Sequence, residues 1–160
     1  MDYKNKINNF IKNTFSLKQQ QDCVSNIQQP LINIKKKILL IDDDQILNDM
    51  YSMKFNKNGY EIKTAASGEE AIMLIKEGYI PDILITDLMM PIMDGFTVFE
   101  TIKKENLAPN VIAIMLTNKG LSEEINKAKD LGFHGYIVKA TTIPVEVVEE
   151  VKKIYKENCK

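Results

Sequence analysis

From Ile38 onward two periodicities alternate along the chain, and that alternation excludes most folds. Short apolar runs stand at Ile38–Ile41, Tyr60–Ala65, Ile83–Thr86, Val111–Leu116 and Tyr136–Val138. Each is the length of a strand and too short for a helix. Runs as continuous as Ile112–Leu116 belong to strands covered on both faces, as in a parallel sheet. Between the runs apolar residues recur at helical spacing: Ile46, Met50 and Met53 with Lys54 ahead of Asn58-Gly59, and Ala71, Leu74 and Ile75 ahead of Gly78. Val98, Ile102 and Leu107 follow ahead of Pro109, then Leu121, Ile125, Ala128 and Leu131 ahead of Gly132. Pro144 opens a last helix with Val148, Val151 and Ile154 or Tyr155 on one face. Asn and Gly after a periodic stretch are helix stops. Five strands alternating with five helices predict an α/β, doubly wound, five-stranded parallel sheet flanked by five helices.

Ligands of such sheets sit at the carboxyl ends of the strands. The residues there are Asp42-Asp43-Asp44 after the first run, Asp87 after the third, Thr117 after the fourth and Lys139 after the fifth. A lone Asp after a strand is usually a helix cap, and Asp44 suits that role for a helix starting near Gln45. The others are not explained one at a time. Carboxylates crowded at one sheet edge raise one another's pKa and lose hydration. A hard cation with oxygen ligands relieves that cost, and one or two carboxylates plus a phosphoryl group suit Mg²⁺. A hydroxyl on Thr117 and an ammonium on Lys139 suit phosphoryl oxygens. Carboxylate nucleophile, cation, hydroxyl and ammonium together predict phosphoryl transfer to an Asp.

At this point the chain resembles the receiver domain of two-component response regulators. The resemblance is carried by KILLIDDDQIL at 37–47, TAASGEEAI at 64–72, DILITDLMMPIMDGFTV at 82–98, VIAIMLTNKG at 111–120 and GYIVKA at 135–140. Asp87-Leu88-Met89-Met90-Pro91-Ile92-Met93-Asp94-Gly95 matches the family's D-x-x-M-P-x-M-D-G loop at every defined position. The resemblance implies a flavodoxin-like strand order 2-1-3-4-5 over a receiver at 36–158, preceded by an extension at 1–35. It implies that Asp87 is the phosphoacceptor, charged by a sensor histidine kinase or a histidine phosphotransfer protein. Asp43, Asp87 and the backbone carbonyl of Met89 would ligate Mg²⁺, with Mn²⁺ as a substitute and Asp42 acting largely through an intervening water. Lys139 would pair with the phosphoryl oxygens, and Thr117 would hydrogen-bond one of them. Tyr136 matches the aromatic switch whose ring turns inward as Thr117 moves. The face made by the fourth helix, fifth strand and fifth helix would then change its preference for a downstream protein.

Three positions depart from the family pattern. Ala140 stands where a Pro, often in a cis bond, usually follows the lysine. A cis peptide before Ala would cost about 2.5–4 kcal/mol, so a trans or strained loop is expected. Asn118 replaces a small residue beside Thr117, and Met89 places an apolar side chain near the acceptor. Met89 is expected to orient attacking water poorly, giving a long-lived phosphoryl-Asp87.

Two rival readings use the same residues. A haloacid-dehalogenase-type phosphatase would take Asp42 as nucleophile and Asp44 as acid/base, but it needs a further acidic pair after the lysine. Beyond Lys139 there is no Asp, only Glu146, Glu149, Glu150 and Glu157 on an apparent helix. A pseudo-receiver, an interaction module without phosphorylation, would normally have lost the acceptor, the acidic pair or the lysine. The prediction is therefore a signalling module rather than an enzyme, assisting only its own phosphorylation and dephosphorylation.

Charge separates the two parts. The net charge of −1 hides +5 over residues 1–37 and −6 over the rest. All the basic residues are lysine, so no arginine fork is available for guanine or phosphate, and direct DNA binding is not expected. No apolar run approaches the ~20 residues of a spanning helix, and the basic start lacks a signal peptide's apolar core. A cytoplasmic location with no transmembrane segment is expected. With about three residues after the last helix, the output is expected on another molecule. Residues 1–34 are rich in Asn, Gln, Lys and Ile; Tyr3, Ile7, Phe10, Ile11 and Phe15 fit a short helix over about 3–17. Such an arm reads as flexible or partly helical, against a docking helix or a membrane-surface helix, and its charge allows a salt-sensitive attraction to the acidic domain. Cys23 and Cys159 are read as incidental thiols, and His134 as a solvated loop residue before the last strand.

Overall fold

A computed structural model describes residues 34–159 of the chain. Strands β1 (Lys37–Ile41), β2 (Glu61–Ala65), β3 (Ile83–Thr86), β4 (Ile112–Thr117) and β5 (Gly135–Val138) form one parallel sheet in the order β2-β1-β3-β4-β5. Helices α1 (Gln45–Lys57), α2 (Gly68–Lys76), α3 (Gly95–Lys104), α4 (Ser122–Leu131) and α5 (Pro144–Asn158) connect or follow them. The expected doubly wound α/β fold and its strand order are both present, each strand boundary falling within a residue of its apolar run.

Alternate residues of each strand feed two cores. Ile38, Leu40, Ile83, Ile85, Ile112, Ile114, Leu116 and Ile137 pack with Tyr51 and Phe55 of α1 and Val147, Val148, Val151 and Ile154 of α5. On the other face Leu39, Ile41, Leu84, Ala113 and Met115 meet Ala71, Ile72 and Ile75 of α2, Val98, Phe99 and Ile102 of α3, and Ala128 of α4. Strands buried on both sides need no polar alternation, which is why the apolar runs read as continuous. Caps define the helix starts: Asp44 accepts from the N–H groups of Ile46 and Leu47, Ser67 from Glu70 and Asp94 from Thr97.

Two helix faces differ from the sequence expectation. In α1 the buried positions are Asn48, Tyr51 and Phe55, while Ile46 and Met53 are exposed. The helix is rotated because two aromatic rings fill the space under the sheet better than the thinner Ile and Met side chains. In α4 only Ala128 is buried, with Leu121 and Ile125 exposed. A small residue at the contact brings the middle of α4 close to the sheet and leaves its first turn outside the core.

Cys159 is one half of a disulfide and not an incidental thiol; Cys23, the helix over 3–17 and the salt-sensitive arm lie outside the described residues. His134 is exposed as expected, but it is not merely solvated. Its Nδ1 accepts from the Ala113 N–H at 3.1 Å while its own N–H donates to the Ala113 carbonyl at 2.8 Å. The side chain thus extends the β4–β5 pairing below Ile114, and burial lowers its pKa.

Candidate functional site

The sheet register places the acidic residues side by side. Ile41 pairs with Thr86 and Thr86 with Met115, so Asp42 and Asp87 leave β1 and β3 at the same level. The chain runs from β1 outward to β2 and returns to β3 on the other side of β1. The crevice of this sheet therefore opens between Asp42 and Asp87, where a doubly wound fold binds its ligand. The Asp87 N–H donates to the Ile41 carbonyl at 2.8 Å, extending the ladder into the site. Thr117 pairs with Val138 at the far side, so Lys139 enters from β5.

Asp42, Asp87 and Thr117 are buried at 2 %, 8 % and 1 % exposure. Lys139, whose side chain is equally enclosed, places its Nζ against Asp42 Oδ2 and at 3.1 Å from Asp87 Oδ2. Asp42 Oδ1 accepts from the Asp44 N–H at 3.0 Å, and Asp87 Oδ1 from the Met89 N–H at 3.4 Å. Asp43 is exposed, and one carboxylate oxygen from each of Asp42, Asp43 and Asp87 lies within 4.8 Å of the others. Burial pushes the Asp42 carboxyl up, and the Lys139 ammonium only partly opposes it. Burial alone would lower the Lys139 pKa, but the carboxylates of Asp42 and Asp87 outweigh it and raise it. Asp42 and Asp87 share the Lys139 ammonium while the Asp43 carboxylate stands beside them, so the pocket holds excess negative charge. Hard, anionic oxygens with two charges uncompensated are the donor set a small divalent cation takes, so the residues fit Mg²⁺.

The structure brings Asp42, Asp43, Asp87 and Lys139 together directly. Thr117 ends β4, the strand beside β3, with its hydroxyl oxygen accepting from the Lys119 N–H at 3.3 Å. Tyr136 is half-buried, and its hydroxyl donates to the carbonyl of the same residue, Lys119, at 2.9 Å. One stretch of main chain therefore links Thr117 to Tyr136. Burial, then the charges of Glu124 and Asp87, push the Tyr136 phenol up, so it stays a donor. Asp44 turns its carboxylate onto the first turn of α1, at 2.9 Å from the Ile46 N–H and 3.2 Å from the Leu47 N–H. Asp44 is thus the helix cap that its position suggested. Met89 and Asn118 are exposed beside the pocket. Among the described residues no peptide bond is cis, so the Lys139–Ala140 bond is trans, within a single 3₁₀ turn over Lys139–Thr141.

Four supporting features were missed in the sequence. The Thr86 hydroxyl donates to the Asp87 carbonyl at 2.9 Å. Gly95 lies so close beneath that a Cβ there would stand 2.2 Å from the same carbonyl, which only glycine avoids. Ile92, 98 % exposed, holds φ at +69°, a left-handed conformation that is strained for a β-branched residue. Asn48, fully buried, donates from Nδ2 to the Asp42 carbonyl at 2.7 Å. A signal for Asn48 was present, since it precedes Tyr51 and Phe55 at spacings of three and seven on the buried face of α1.

A parallel sheet with an acidic pocket and a lysine at its switch point defines a phosphotransfer-type signalling class, and comparison with known proteins agrees. Residues 38–152 match the family model of the response regulator receiver domain. The chain belongs to the response-regulator receiver family of two-component systems. A probable transcriptional regulator ycf27 of Porphyra purpurea is 32 % identical over 122 residues, covering 76 % of this chain and 48 % of the relative. The DNA-binding dual master transcriptional regulator RpaA of Synechocystis is 30 % identical over 118 residues, or 74 % and 47 % of the two chains. The chain thus spans about half the length of these relatives. Among solved structures, the chemotaxis response regulator CheY4 of Vibrio cholerae aligns with a TM-score of 0.68 at 28 % identity, covering 75 % of this chain and 98 % of that one. A CheY-like receiver from Methanospirillum hungatei aligns at 0.69, also at 28 % identity, covering 78 % and 96 %. No helix among the described residues is long and apolar enough to cross a membrane.

Proposed function

We propose that Asp87 accepts a phosphoryl group from a phosphohistidine of a sensor histidine kinase or histidine phosphotransfer protein. The observation that carries this reading is the Lys139 ammonium shared by Asp42 and Asp87, with the Asp43 carboxylate completing an electron-rich pocket. An Asp87 oxygen attacks phosphorus, an O–P bond forms as the N–P bond breaks, and the bonding pair returns to the imidazole. Asp42, Asp43, Asp87 and the Met89 carbonyl would hold Mg²⁺, or Mn²⁺ in its place, which supplies charge neutralisation for the incoming phosphoryl oxygens. Lys139 then transfers its ammonium from Asp42 and Asp87 to a phosphoryl oxygen, and Thr117 donates its hydroxyl to another. Drawing Thr117 inward pulls on Lys119, which also holds Tyr136. That shared contact supports transmission to the α4–β5–α5 face, where a downstream protein would bind; no direct DNA contact is proposed for an arginine-free chain.

The mouth of the pocket suits a protein donor. Of the large apolar side chains exposed, Ile46, Met89, Ile92, Leu121, Ile143 and Val145 all lie in or just after the loops leaving the strand carboxyl ends. An apolar rim around a buried anion centre fits a helical partner presenting one phosphorylated imidazole amid apolar residues. Incubation with acetyl phosphate and Mg²⁺ tests the chemistry by intact mass. One phosphoryl adduct on the native chain and none on Asp87→Asn supports the reading, and equal labelling of both, or of neither, refutes it.

A further inference from the structure

Asn48 is a polar side chain where α1 has no need of one. It lies at 0 % exposure between the sheet and the helix, in line with Tyr51 and Phe55. Its Nδ2 donates to the Asp42 carbonyl at 2.7 Å, while its Oδ1 is buried with no hydrogen-bond partner among the described residues. A buried acceptor left without a partner destabilises the fold, and an aliphatic residue of the same volume would avoid it. The amide is therefore not explained by packing.

That hydrogen bond falls at an informative place. The carbonyl of Asp42 and the N–H of Asp43 belong to one planar peptide, so holding the first fixes the direction of the second. The rest of the turn is braced as well: the Asp44 N–H donates to Asp42 Oδ1 at 3.0 Å, and the Asn48 N–H to the Asp44 carbonyl at 3.0 Å. Asp43 is the exception. Its exposed carboxylate has no hydrogen bond or ion pair among the described residues, so its place in the pocket depends on the backbone that carries it.

We propose that Asn48 is a positioning residue for the acidic pocket: by pinning the Asp42 carbonyl it orients the Asp42–Asp43 peptide and sets the Asp43 carboxylate for a divalent cation. This rests on the reading that the pocket takes Mg²⁺. A side chain one step behind a ligand changes metal affinity by about 10–100-fold when removed.

The test is Mg²⁺ titration by calorimetry of the native chain, Asn48→Leu and Asn48→Ala, with melting temperatures in chelator. Leu fills the volume and Ala leaves a cavity, but both lose the donor. Positioning predicts that both weaken Mg²⁺ about tenfold, whatever each does to stability. It also predicts that Asn48→Leu adds nothing further in an Asp43→Asn background, since the positioned carboxylate is gone. Native-like affinity in Asn48→Leu, or weakening that follows the loss of stability alone, overturns the proposal. No Mg²⁺ binding by the native chain overturns the reading beneath it, a result distinct from either.

Discussion

Replacing Lys139 by Met keeps the length of the side chain and deletes the ammonium that Asp42 and Asp87 share. At 3.1 Å from Asp87 Oδ2, the ammonium gains about 5 kcal/mol of attraction at an effective dielectric constant near 20. Its own desolvation offsets much of that, because only 7 % of the side chain is exposed. What the substitution leaves behind decides the magnitude: two enclosed carboxylates facing one another, a situation that costs about 3–5 kcal/mol when a buried pair is broken. Asp42 limits the loss, since burial already pushes its carboxyl up and a proton can take the place of the ammonium. The lower end, about 3 kcal/mol, is therefore expected, or about 10 °C in melting temperature for a domain of this size. The assay is a pair of melts, one in chelator and one in Mg²⁺. Lys139→Met should melt about 10 °C lower in chelator and recover more than the native chain when Mg²⁺ is added. Its Mg²⁺ affinity should rise, because a positive charge has left the pocket. A variant that melts within about 2 °C of the native chain in chelator and binds Mg²⁺ no more tightly would refute this electrostatic reading of the site.

Gly95→Ala puts a Cβ 2.2 Å from the Asp87 carbonyl, so α3 or the acceptor loop must shift; a loss of about 1–3 kcal/mol and slower labelling by acetyl phosphate are expected, checked by melting and intact mass. His134 has its pKa lowered by burial, and protonating Nδ1 would remove its bond from the Ala113 N–H. Its contribution is then complete above pH ~6.5 and lost as acid is added below that. The native chain should lose more stability than His134→Ala between neutral and mildly acid pH, measured by denaturant titration at each pH. Met89 is 59 % exposed beside the acceptor; Met89→Asn should shorten the life of phosphoryl-Asp87, followed by phosphate release, and an unchanged lifetime would remove the basis of the idea.

How much of this was legible beforehand varied with the physics behind each feature. Strands β1, β3 and β4 are apolar except for Lys37, Thr86 and Thr117 at their ends, because both faces are covered, so those ends could be read to within a residue, and with them Asp42, Asp87 and Thr117. Asp44 as a cap was legible from local chemistry alone. The rotation of α1 was not, because Ile46 and Met50 fit a helical stripe as well as Tyr51 and Phe55 do. Tertiary packing, which the chain's own period does not encode, chose the aromatic side. Asn48 was hidden by the same ambiguity. The closeness of Gly95 to Asp87 depends on how α3 meets the acceptor loop, and His134 on the pairing of β4 with β5. Such contacts join residues far apart in sequence and leave no mark in spacing.

Chemical trapping tests at residue level whether Asp87 carries the phosphoryl group. Borohydride reduces an aspartyl phosphate to homoserine, so the native chain should be treated with acetyl phosphate and Mg²⁺, reduced, and mapped by peptide mass spectrometry. Homoserine is expected at position 87 alone, with none when Mg²⁺ is chelated. Homoserine at Asp42 or Asp43, or an unmodified Asp87 under conditions that phosphorylate the chain elsewhere, would contradict it.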